Sequence, residues 1–183
     1  MPRHQRHPAA IAAGIGAAVI ALIVMFLYSP RDEDHLAEIG ATVDAFHRAA
    51  AEADLDAYFD LLTDDARFLG TDASERWTKP VFYQYCLDRG AFEEAPAWVY
   101  TPSARAVTLG PSNRTAWFDE VLTHDRYGTL RGSGVLVLDT GDWKISQYNL
   151  TFLVPNDATP AVVSAIQDYE SEPADAAAED QPE

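Results

Sequence analysis

The sequence predicts an α+β domain whose N-terminal helices pack on a strongly curved antiparallel sheet, preceded by one transmembrane helix. Three observations predict it. Apolar residues recur at steps of three and four in the first half of the domain and at steps of two in the second. Turn residues punctuate the second half at hairpin spacing. A charge-free run of twenty apolar or small residues, Ala9 to Tyr28, comes before all of this.

Taken in order, residues 1–8 are a short cytoplasmic N-terminus and residues 9–28 the anchor. At about 1.5 Å per residue that run spans roughly the hydrocarbon core of a bilayer. It stays bulky to its end (Met25-Phe26-Leu27-Tyr28), whereas a cleaved signal peptide has a shorter apolar region and a small-residue cleavage site. Arg3 and Arg6 precede it and Arg31-Asp32-Glu33-Asp34 follows, so the positive-inside rule places the rest of the chain outside. The expectation is a single-pass inner-membrane protein with its domain in the periplasm; the bacterial setting rests only on the alanine- and aspartate-rich composition.

The domain proper is read as residues 32–169. Leu36, Ile39, Val43, Phe46, Ala50 and Ala53 form one helical stripe, with acids and His47-Arg48 on its other side. Asp54 caps a short helix carrying Leu55, Tyr58, Phe59 and Leu62. Thr63-Asp64-Asp65 breaks it, and a strand follows over residues 66–70. Thr78 opens a third helix with Pro80 in its first turn and Gly90 closing it. Strands are predicted over residues 98–109, 115–123, 130–138 and 143–153. Pro102 marks a bend or an edge, and Gly132 and Gly134 permit a bulge and curvature. A last helix runs from Thr159 to Tyr169, and residues 170–183, acidic with two prolines and no base, read as a disordered tail.

Composition excludes several classes. With 13 basic against 29 acidic residues the net charge is −16, which argues against a nucleic-acid partner. One cysteine, Cys86, makes no intramolecular disulfide, and His35, His47 and His124 lack ligand spacing, so neither metal nor other cofactor is expected.

The segments Phe68-Leu69-Gly70-Thr71-Asp72, Glu75-Arg76-Trp77, Trp117-Phe118-Asp119-Glu120, Arg131-Gly132-Ser133-Gly134-Val135-Leu136, Trp143-Lys144-Ile145 and Gln147-Tyr148-Asn149-Leu150 together resemble the nuclear transport factor 2-like superfamily, SnoaL-like branch. The resemblance spans about residues 35–165. It implies a cone-shaped, cystatin-like α+β roll, a homodimer formed through the outer sheet face, and either a binding or scaffold role or isomerase, cyclase or dehydratase chemistry. Fold alone does not choose among these.

Candidate site residues follow from strand parity. Asp119 and Glu120 are adjacent, so only one enters a cavity, and both faces of their strand are apolar enough that parity leaves the choice open. Asp119, flanked by Trp117 and Val121, is taken as the catalytic candidate, a single carboxylate moving protons without a cofactor. The alternative for either acid is an ion pair with Arg131 or Arg105 across the sheet. With Lys144 facing water, Trp143, Ile145, Gln147 and Asn149 face inward. Trp77, Trp98, Tyr100, Trp117, Arg131, Gln147 and Asn149 are therefore the expected pocket. Two functions stand side by side: a membrane-anchored extracytoplasmic module that binds a small apolar ligand or a protein partner, and a cofactor-free enzyme working through Asp119.

Overall fold

The computed structural model describes residues 30–171. The N-terminus over residues 1–8, the anchor over 9–28 and the acidic tail past residue 171 lie outside the described residues. Glu170 and Ser171, expected in that tail, belong to the last helix. Among the described residues no helix is long and apolar enough to cross a membrane.

Helix α1 (Pro30–Ala51) buries Ile39, Val43, Phe46 and Ala50, the predicted stripe. Leu36 is exposed, and Ala53 lies past the helix end with φ of 55°. His47 is buried among the stripe residues, correcting its assignment to the polar side. It lies four residues after Val43 and three before Ala50, which puts all three on one face. Helix α2 (Leu55–Asp60) starts where Asp54 accepts the Ala57 N–H at 3.0 Å, the expected cap.

Strand β1 (Leu62–Leu69) absorbs Leu62, expected in the second helix, and the polar triplet Thr63-Asp64-Asp65 that was expected to break that helix and precede the strand. Its pairing lapses between Leu62 and Arg67, so the polar residues leave the ladder without ending the strand. Strand β2 (Arg76–Thr78) is too short to leave a period-two pattern in the sequence. Helix α3 (Lys79–Asp88) follows, with Gly90 at φ of 60° just beyond it. Then come β3 (Thr101–Leu109), β4 (Thr115–His124), β5 (Gly128–Asp139), β6 (Asp142–Phe152), a 3-10 turn and α4 (Thr159–Ser171).

The six strands lie in the order β2-β1-β6-β5-β4-β3. β3 to β6 form the predicted antiparallel meander. The sheet as a whole is mixed, because β1 runs parallel to β6. Hairpins force antiparallel neighbours, but a long crossover joins these two and leaves their direction free. β3 is an edge strand whose register slips between Pro102 and Ala104, satisfying both readings of that proline.

Helices α1 to α3 pack against the sheet. Facing them are Phe118, Glu120 and Leu122 from β4, Leu130 and Leu136 from β5, and Trp143, Ile145, Tyr148 and Leu150 from β6, all buried. The change of parity within β6 has a local cause. Ile145 pairs with Leu136 and Gln147 with Val135, so Ser146 is an extra residue with no partner of its own. This bulge turns Tyr148 and Leu150 inward in place of Gln147 and Asn149.

Candidate functional site

Between Leu130 and Leu136, the inner face of β5 carries only Gly132 and Gly134. A Cβ on Gly132 would stand 2.5 Å from the Tyr148 hydroxyl and 2.9 Å from Glu120 Oε1. One on Gly134 would overlap the Gln147 carbonyl and stand 2.7 Å from the Phe118 ring. The missing side chains are the space into which the Glu120 carboxylate and the Tyr148 phenol extend.

Glu120 is fully buried and fully engaged. Its Oε1 accepts a hydrogen bond from His47 Nε2 at 2.6 Å, and its Oε2 accepts one from Arg105 Nε at 2.8 Å. The proton on Nε2 is assigned from its acceptor, since a carboxylate donates nothing. Arg105 stands directly across the ladder from Glu120, which is the cross-strand ion pair weighed from the sequence. Its Nη1 donates to Asp44 Oδ1 at 2.7 Å and to the Gly40 carbonyl at 3.2 Å, tying the sheet to α1. Its Nη2 also lies 2.8 Å from Glu120 Oε2, but at an angle that makes this an ion-pair contact without a hydrogen bond. Burial works to lower the Arg105 pKa, yet the hydrogen bond to Asp44 and the charge of Glu120 outweigh it and the pKa rises.

Beside this network lies a cavity of about 240 Å³. His47 is in its wall, together with Phe46 and Ala50 of α1, Tyr58 of α2, and Phe82 and Tyr85 of α3. The sheet contributes Phe68, Trp77, Leu130, Tyr148, Leu150 and Phe152, and the connecting segments Gly70, Thr71, Glu75, Trp98, Tyr100 and Tyr127. Eleven of the lining residues are Phe, Tyr or Trp. Phe68 stacks on Phe82 with ring centroids 4.0 Å apart, and Trp77 on Tyr85 at 4.6 Å. Thr71, Tyr127 and Phe152 are exposed and mark the mouth. For scale, an apolar cavity of about 150 Å³ holds benzene.

Five phenols sit in this wall, three of them Tyr58, Tyr100 and Tyr148. Burial, then the neighbouring Tyr148, pushes Tyr58 well above its ordinary pKa. Burial and the charge of Glu120 do the same to Tyr148. Tyr100 is pushed up to about 12, first by burial and then by Tyr127 and Glu75. All three stay protonated at neutral pH and none has a protein hydrogen-bond partner among the described residues. No group of three or more His, Cys, Asp or Glu side chains among the described residues is placed to hold a metal ion.

The structure gathers three of the expected pocket residues, Trp77, Trp98 and Tyr100, and separates the rest. Asp119 is exposed on the outer sheet face, opposite Ala106 and Ser133, and cannot reach the cavity. Trp117 shares that face and is 48% exposed. Arg131 is exposed between Val121 and Thr151. Gln147 and Asn149 are turned outward by the Ser146 bulge, and the Asn149 amide donates to Thr151 Oγ1 at 3.2 Å. The sequence reading missed His47, Tyr58, Glu75 and Tyr148 as wall residues. Only His47 left a usable signal, its spacing from Val43 and Ala50.

A family model described as SnoaL-like domain matches residues 39–155. Comparison with curated proteins finds no match. Among solved structures, the fold is similar to a nuclear transport factor 2-like protein of unknown function from Pseudomonas putida, at 12% identity and a TM-score of 0.55 over 67% of this chain and 89% of that one. It is also similar to a protein of unknown function from Mycobacterium tuberculosis, at 15% identity and a TM-score of 0.54 over 71% and 79% of the two chains. A Nostoc punctiforme protein with a cystatin-like fold matches at 14% identity and a TM-score of 0.51, over 70% of this chain and 95% of that one.

Proposed function

The chain belongs to the SnoaL-like domain family of the nuclear transport factor 2-like superfamily, and from that premise we propose that it binds one small, largely aromatic molecule in the cavity beside His47. The observation that carries this reading is the wall itself: eleven aromatic side chains around about 240 Å³ with an exposed mouth. Packed interiors seldom leave space of that size, and apolar space of that size takes up apolar guests. The charge-free run over residues 9–28 supports placing the binding domain outside a membrane on a single anchor. The exposed Trp117 on the outer sheet face supports a homodimer through that face.

The test is a titration with indole, naphthalene and N-phenyl-1-naphthylamine, read by fluorescence and calorimetry. Saturable binding of one molecule per chain, perturbing the emission of Trp77 and Trp98, is the expected result. No saturable binding by any of the three would sink the reading.

A second reading is favoured by one observation, the His47–Glu120 hydrogen bond. A carboxylate held by Arg105 accepts the imidazole Nε2–H and fixes the ring's orientation, as a positioned general base requires. Proton transfer of isomerase, cyclase or dehydratase type would then run through His47, and Asp119 plays no part. Under this reading His47→Gln abolishes turnover while probe binding persists.

A further inference from the structure

Resting on the binding reading above, we infer that the cavity selects an organic cation, an aromatic or apolar body carrying a quaternary or protonated amine, over neutral and anionic molecules of the same shape. No lysine or arginine is in the wall, and Glu75 supplies a carboxylate to it. Glu75 is half-buried and lies against Gly70, where a Cβ would overlap its side chain. Its Oε2 accepts the Asp72 N–H at 3.2 Å, and no basic side chain stands within ion-pair distance of it among the described residues. Of the arginines nearest the cavity, Arg105 lies behind Glu120 and is spent on Glu120 and Asp44, while Arg89 and Arg126 lie over the Tyr85 and Tyr127 rings.

The aromatic wall points the same way. Ring faces are the negative side of the aromatic quadrupole and attract cations, most strongly where water is excluded. Two wall rings already hold a cation of the protein's own, Arg89 over Tyr85 at 5.3 Å and Arg126 over Tyr127 at 5.5 Å. Trp77, Trp98 and Tyr100 carry no cation of the protein's own among the described residues; Trp77 and Trp98 each stack on Phe82, whereas Tyr100 has no stacked neighbour in the wall. With Nε2–H committed to Glu120, the other nitrogen of His47 is a lone-pair acceptor in the neutral ring, able to meet an ammonium N–H. An anion would meet Glu75 with no cation to neutralise it, in a chain of net charge −16 that draws cations towards it.

The experiment compares benzyltrimethylammonium, its neutral carbon isostere neopentylbenzene, and phenylacetate on the full-length chain, by calorimetry and by quenching of Trp77 and Trp98. The cation is expected to bind one per chain and about tenfold more tightly than the isostere, with phenylacetate weakest. Glu75→Gln retains an acceptor for the Asp72 N–H and is expected to close most of that gap. Neopentylbenzene or phenylacetate binding as tightly as the cation overturns the charge selection and leaves the aromatic-cavity reading standing. A gap unchanged in Glu75→Gln overturns the assignment to Glu75, and failure of all three probes removes both readings.

Discussion

Replacing Glu120 with leucine tests the buried network most directly. Leucine branches one carbon short of glutamate, fills most of its volume and has none of its acceptors. It would orphan His47 Nε2–H and Arg105 Nε–H, which now lie 2.6 and 2.8 Å from the carboxylate oxygens. Each buried unsatisfied donor costs about 1–3 kcal/mol, and removing one partner of a buried ion pair about 3–5 kcal/mol. Arg105 keeps its bonds to Asp44 and Gly40, so the middle of that range applies, about 4 kcal/mol. Glutamine behaves differently. Its carbonyl can accept from Arg105 while its amide donates to His47, which moves its proton to Nδ1. Only the charge attraction is lost, and Glu120→Gln is expected to cost about 1–2 kcal/mol. Urea unfolding followed by far-ultraviolet circular dichroism measures both, and in a thermal melt the midpoint temperature falls by roughly 2–4 °C per kcal/mol. Leucine costing no more than glutamine would refute the hydrogen-bond assignment.

Other outcomes follow from the same packing. Gly134→Ala drives a methyl into the Gln147 carbonyl and the Phe118 ring, and is expected to lose about 1–3 kcal/mol in the same urea assay. Tyr58, Tyr100 and Tyr148 hold their protons more tightly folded than unfolded, so their contribution is whole below pH 10 and disappears as pH rises through the folded values, about 12 for Tyr100. The urea midpoint at pH 11 should therefore lie below that at pH 8. Burial pushes the Cys86 thiol up to about 12, so iodoacetamide at pH 8 should leave it untouched until urea is added, as mass spectrometry will show. Asp54→Ala removes the α2 cap and should cost about 1 kcal/mol by thermal melting.

How much of this was legible depends on what each element answers to. The α1 stripe, the Asp54 cap and the meander strands are set by local periodicity and turn chemistry, and were readable. The same periodicity placed His47 on the buried face, although a polar residue beside Arg48 invited the opposite reading. The choice between Asp119 and Glu120 was not local. Trp117, Asp119 and Val121 are as apolar a set as Phe118, Glu120 and Leu122, and the inner set is decided by what stands across it: Arg105, the open face of Gly132, and His47 of α1. Gln147 and Asn149 were misplaced because strict alternation was carried through Ser146. A single extra residue defeats that rule, and nothing in Lys144-Ile145-Ser146-Gln147 announces it. The parallel β1–β6 pairing joins segments too far apart for any local pattern to report.

That pairing also sets the order in which the molecule can be made. Leu62 meets Ile145 and Leu69 meets Asn149, so β1 leaves the synthesis machinery about eighty residues ahead of its partner. At about 5–20 residues per second it waits several seconds with one edge unpaired. Closing so large a loop is entropically uphill until the contacts form, and such non-local pairings dominate the folding time of sheet proteins. The Glu120–His47 bond spans a comparable distance along the chain. The aromatic cavity wall is therefore among the last parts assembled, and a nascent chain arrested before β6 would display its aromatic residues to whatever chaperone attends it.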